Sequence, residues 1–161
     1  MPSATNHPQV PLIPWLDPES AADVVDITES VATHHPEVVA VILFGSVARR
    51  EQRPLDDPMP SDVDLLLILD PKVLDPTAER LSNEHDLALT RTISEADFRH
   101  RTAPREINTF FMNRDLARWD PMFIENLARD GILLWACGPL PAPLAVLAER
   151  DPLDSLAASP G

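Results

Sequence analysis

The chain has 161 residues, 44% of them hydrophobic, with 26 acidic against 13 basic side chains and a formal charge of −13. That length suits one domain with a real core, and that charge repels polyanions, so a long nucleic acid is disfavoured as substrate. No apolar run reaches the roughly 18 residues of a membrane span, the single cysteine, Cys137, excludes an internal disulfide, and tyrosine is absent as a base or nucleophile.

Residues 1–16 hold four prolines and no periodic apolar pattern, and read as an extended arm. They lack the basic and apolar segments of a secretory signal, so a cytoplasmic location is the expectation. Asp17-Pro18 is a helix start, with Asp as N-cap and Pro at the first helical position. The helix over Glu19–Thr33 ends at His34-His35-Pro36. Val38–Phe44 is an apolar run rich in β-branched residues, hence a buried strand. Ser46–Glu51 reads as a short helical turn and Gln52–Ser61, with three prolines, as a loop. Asp62–Leu69 is the second strand. Asp75-Pro76 starts a helix over Thr77–Glu84, and the alternation of Asp86–Ile93 predicts a third, half-buried strand. Ser94–Asp97 resembles a capping box. Glu106–Leu116 reads as helical, and Asp120-Pro121 opens a helix over Met122–Arg129 that Gly131 caps. Ile132–Ala136 is a last strand. From Gly138 onward five prolines dominate, with one short helix near Leu144–Glu149. The expected organisation is an arm at 1–16, a domain at 17–137 and a tail at 138–161.

Val38–Leu69 carries the chemistry. Alternation along a strand puts Asp62 and Asp64 on the same face. Two carboxylates held that close repel unless a cation lies between them, and magnesium takes such oxygen ligands together with substrate phosphates. Taken separately, Gly45-Ser46 could be an ordinary strand-to-helix turn, and the two aspartates solvated residues at a sheet edge. The five histidines show no metal-ligand spacing beyond the adjacent pair His34-His35.

The combination of LFGSVARRE (Leu43–Glu51) with SDVDLLLIL (Ser61–Leu69) resembles the nucleotidyltransferase superfamily typified by DNA polymerase beta. Within it the chain is similar to the minimal nucleotidyltransferases, small prokaryotic domains of which many are encoded beside a helical partner in toxin–antitoxin pairs. The resemblance spans roughly Glu19–Ala136 and includes the pattern from Phe123 to Leu134. It implies an α/β (α+β) fold, a small mixed sheet of about four strands with helices mainly on one side. It implies transfer of a nucleoside monophosphate from a nucleoside triphosphate such as ATP to an acceptor hydroxyl. One or two Mg2+ ions would sit on Asp62, Asp64 and a third acid, for which Asp86 is the candidate. Gly45 admits phosphate to the backbone, Ser46 offers its N–H and hydroxyl, and Arg49 reaches toward phosphate. A helical protein partner or a second copy of the chain could complete the acceptor site.

Three departures stand out. Arg50 replaces the glycine that usually follows Ala-Arg, the loop to Ser61 is longer than the common form, and a second alignment puts Leu89 in the place of the third acid. Two alternatives therefore accompany the enzyme: an antitoxin-like subunit that neutralises a helical partner, for which Phe110–Met112 could supply an apolar surface, and a catalytically silent nucleotide-binding domain.

Overall fold

The two apolar runs become the centre of one sheet. The computed structural model describes residues 10–77, Leu87, Arg91, 105–116 and 119–150. Strand β1 (Val38–Phe44) pairs antiparallel with β2 (Val63–Leu69), placing Phe44 opposite Asp64 and Leu43 opposite Leu65. On its other edge β1 pairs antiparallel with β4 (Ile132–Ala136), and β2 pairs in parallel with β3 (Ile107–Asn113). The sheet is therefore mixed and four-stranded, in the order β3-β2-β1-β4, as the fold class required.

Leu65, Leu66, Leu67 and Ile68 are all fully buried. Each stabilises the fold by about 1.5–3 kcal/mol relative to an exposed side chain. Strands buried on consecutive positions need cover on both faces, so the helices divide between the two sides rather than lying mainly on one. Helix α1 (Pro18–His34) packs Val24, Ile27 and Val31 on the face formed by Val41, Leu43, Leu65 and Leu67. Helix α2 (Pro121–Asp130) and the short helix α3 (Val146–Glu149) bring Ile124, Leu127 and Leu147 onto the face of Ile42, Leu66, Ile68 and Met112. The core reaches past 17–137 at both ends, since Ile13, Leu16, Leu144 and Leu147 are buried.

Both Asp-Pro starts at the ends of the domain behave as capping chemistry dictates. Asp17 accepts the Ser20 backbone N–H at 3.1 Å, and Asp120 accepts that of Met122 at 2.9 Å. The Gly131 N–H closes α2 on the Leu127 carbonyl at 2.8 Å.

Two expectations are corrected. The stretch Glu106–Leu116 is not helical but supplies β3. The third strand of the sheet is thus Ile107–Asn113 and not Asp86–Ile93, of which the two described residues, Leu87 and Arg91, are helical and the others lie outside the described residues. A parallel partner for β2 requires a long crossover between the strands. Residues 70–106 provide it, so the third strand must come late. The expected helix over Thr77–Glu84 and the capping box at Ser94–Asp97 lie, apart from Thr77, outside the described residues.

Arg105 ties the crossover's end to the rest. Its side chain is almost fully buried; Nε donates to Asp17 Oδ1 at 2.8 Å, and Nη1 donates to the carbonyls of Arg53 and Ser61 at 2.9 and 2.8 Å. One guanidinium thus joins the N-cap of α1, the 51–62 loop and the residue just before Asp62. Burial pushes the Asp17 carboxyl up, but the Ser20 N–H and the Arg105 guanidinium outweigh it and hold the group below the usual carboxylate range.

Candidate active site at the end of β1 and β2

The site grows from three neighbouring backbones. Asp64 lies between Phe44 of β1 and Asn108 of β3 in the sheet register. Alternation places Asp62, Asp64 and Asn108 on the face that α2 covers. The Asn108 side-chain amide Nδ2 donates to Asp62 Oδ2 at 3.1 Å and to Asp64 Oδ1 at 3.3 Å. Two carboxylates, Asp64 of β2 and Asp62 just before it, therefore converge on a single donor from the next strand. Asp62 is exposed and Asp64 half-buried. Burial raises the Asp64 carboxyl above its ordinary value, with the nearby Asp62 charge adding to the rise. The Asn108 hydrogen bond and the Arg49 charge oppose it.

Gly45 follows β1 with φ +80°, a conformation that side chains disfavour. A Cβ there would lie 2.6 Å from Asp64 Oδ2. The residue is glycine because the Asp64 carboxylate occupies the space. The following residues form overlapping turns, not a helix: the N–H of Arg49 donates to the Gly45 carbonyl at 3.2 Å and that of Glu51 to the Ser46 carbonyl at 2.8 Å. Ser46 thus sits one residue beyond the glycine, half-buried in the same bend.

Arg50 has φ +59°, so the position that the resemblance gives to glycine keeps the left-handed backbone. Trp15 offsets the strain. Its indole lies 4.4 Å beneath the Arg50 guanidinium, and its Nε1 donates to the Val47 carbonyl at 2.6 Å. Arg49 is exposed and bonds Glu51 at 3.1 Å. Its charge is nevertheless felt at Asp64.

Asp86 lies outside the described residues. Asp57 turns back on its own loop, accepting the Met59 N–H at 2.8 Å. Asn108 is the neighbour that sequence reasoning missed. Its run, Ile107-Asn108-Thr109-Phe110-Phe111, is β-branched and aromatic, the composition of a strand. Of the apolar triplet proposed for a surface, only Phe110 is exposed; Phe111 is partly buried and Met112 fully buried. Among the described residues no group of three or more His, Cys, Asp or Glu side chains could hold a metal ion. Among the described residues, the oxygen donors that converge are two carboxylates and, if it turns, one amide carbonyl.

The family model described as polymerase beta, nucleotidyltransferase matches residues 26–136. The chain belongs to that family. Among solved structures, a toxin–antitoxin complex with AMP-PNP is similar at 14% identity, with 88% of each chain covered and a TM-score of 0.45. The MntA-HepT toxin–antitoxin is similar at 12% identity, covering 84% of this chain and 86% of that one, with a TM-score of 0.42. Comparison with curated proteins finds no match. No helix among the described residues is long and apolar enough to cross a membrane.

Proposed function

We propose that the chain is a metal-dependent nucleotidyltransferase that moves a nucleoside monophosphate from a nucleoside triphosphate, ATP foremost, to an acceptor hydroxyl. The observation that carries this reading is the convergence of Asp62 and Asp64 on the Asn108 amide beside Gly45. A donor group shared by two carboxylates marks a point where positive charge is stabilised. The donor set fits a hard divalent cation, and Asp62 and Asp64 would hold Mg2+, with Asn108 able to turn its carbonyl oxygen toward it. When bound, the metal neutralises triphosphate charge. The Gly45-Ser46 bend offers N–H groups and a hydroxyl to the phosphates, and Arg49 adds a cation on their outer side. The acceptor oxygen bonds to the α-phosphorus as the bond to pyrophosphate breaks, and the hydroxyl proton passes to water.

Incubation with α-labelled ATP and Mg2+, alone and with a helical protein encoded beside this chain, tests the reading. Label transfer is expected to fall at least about 100-fold in Asp62→Asn and in Asp64→Asn. Transfer that survives either change would refute it. The Asp64 carboxyl is raised on folding, so its ionised form costs stability above that raised pKa and the cost is relieved as pH falls through it. Asp64→Asn should therefore melt no lower than the wild type at neutral pH.

Asn108 favours a second reading, nucleotide binding without transfer, because a neutral amide cannot take a proton from an attacking hydroxyl. Asn108→Asp separates the two. A third carboxylate should raise Mn2+ affinity about tenfold. Without metal it should lower stability by about 1–2 kcal/mol, since both hydrogen bonds are lost. Titration calorimetry and melting with and without metal measure both effects. Label transfer that appears only in Asn108→Asp would establish the silent binder.

An antitoxin-like association with a helical partner fits a cleft beside α2. There Leu116, Trp119, Pro121, Ile124 and Ala128 line an open cleft of about 540 Å³ and Met122 is exposed.

A further inference from the structure

Beside the carboxylate pair, on the side of α2, the end of β1 borders a second feature. A cleft of about 230 Å³ lies between Phe44, Gly45 and Arg49 on one side and Phe123, Asn126 and Asp130 on the other. Pockets for drug-sized ligands run to about 300–1,000 Å³, so this one suits a fragment such as a single heteroaromatic base. Phe44 and Phe123 give it two aromatic walls. Phe44 meets Phe123 edge to face with ring centres 5.5 Å apart, and Phe123 in turn leans on Trp119 at 5.0 Å. These contacts fix the orientation of Phe123 in the cleft.

The cleft shares Gly45 and Arg49 with the bend beside Asp64. A ligand whose phosphates lie on that bend thus has an apolar recess within the same molecule's reach. Asn126 is exposed at the rim and brings one amide donor group and one carbonyl acceptor, the complement of a base edge. The Arg49 guanidinium can stack on a π-face as well as meet phosphate.

We propose that this cleft is the nucleobase subsite of the triphosphate, with the base against Phe123 and its edge at Asn126. The inference rests on the nucleotidyltransferase reading above and adds the part of the substrate that it recognises. Purines, with the larger stacking surface, bind more tightly than pyrimidines.

The test is calorimetric titration, in Mg2+, of ATP, CTP and inorganic tripolyphosphate into the full chain. Wild type should bind ATP about tenfold more tightly than tripolyphosphate, and CTP in between. Phe123→Leu, which keeps apolar volume but removes the ring, should lower ATP affinity about 5- to 20-fold and leave tripolyphosphate unchanged. Asn126→Ala, at an exposed position, should narrow the difference between ATP and CTP; it serves as the variant should Phe123→Leu not fold. Equal affinity of the wild type for ATP and tripolyphosphate, or parallel loss of both ligands in Phe123→Leu, would overturn the subsite while leaving the phosphate site standing. Failure of the wild type to bind either ligand would overturn both.

Discussion

Replacing Gly45 by alanine should weaken metal-dependent nucleotide binding at least about tenfold while leaving a folded protein. The added Cβ would lie 2.6 Å from Asp64 Oδ2, but 3.5 Å from the Asp64 carboxyl carbon. The collision is therefore with the tip of one side chain. The carboxylate can swing aside, and the sheet beneath it need not move. The backbone also resists, since φ is +80° and a left-handed residue other than glycine costs about 1–2 kcal/mol. A loss of that size lowers Tm by roughly 2–8 °C in a chain of this length. Asp64, however, leaves the position it shares with Asp62 and Asn108. Divalent-ion affinity should fall by at least about tenfold, and nucleotide transfer with it. Calorimetric Mn2+ titration beside a melting curve checks both halves. Wild-type Mn2+ affinity in Gly45→Ala would show that the close approach of glycine and carboxylate has no part in the site.

Arg105→Ala should be the most damaging single change to stability. The guanidinium is buried, pairs with Asp17 and donates to two loop carbonyls. Its removal strands the half-buried Asp17 charge and leaves the Arg53 and Ser61 carbonyls short of a donor. Breaking such a pair by removing one partner costs about 3–5 kcal/mol, on the order of 10 °C in Tm. The acid limb of the stability curve should change as well. Asp17 titrates below the ordinary carboxylate range in the fold, so its stabilisation is present above the unfolded pKa and is lost as pH falls through the folded one. Without Arg105 that loss should shrink. Because Ser61 precedes Asp62, nucleotide binding should weaken in Arg105→Ala even where the protein remains folded. Thermal melting from neutral to acidic pH measures the effect; a Tm within about 2 °C of wild type would contradict the role given to this ion pair.

What could be read along the chain was what local chemistry determines. Val38–Phe44 and Val63–Leu69 stand out because β-branched and leucine-rich runs stop abruptly at Gly45 and begin at Asp62. Asp17-Pro18 and Asp120-Pro121 announce helices because a capping carboxylate and a preset φ act within one turn. The strand Ile107–Asn113 was not legible in the same way. It lies at the sheet edge with no clean alternation of burial, and what makes it a strand is parallel pairing with β2 across a long crossover. Asn108 went unseen for the same reason, and because a search for a third acid passes over an amide. Arg50 shows the converse. Its side chain departs from the resemblance, yet its backbone keeps the left-handed turn, held by Trp15 from a segment that reads as a loose arm.

The most direct test of the site is a calorimetric titration of ATP into wild type and Asp64→Asn, each with and without Mg2+. If Asp62 and Asp64 hold the metal that meets the triphosphate, Mg2+ should strengthen ATP binding by the wild type about tenfold or more and leave Asp64→Asn unaffected. ATP binding that is indifferent to Mg2+ in the wild type, or equally enhanced by it in Asp64→Asn, would contradict a metal-dependent nucleotide site at these two carboxylates.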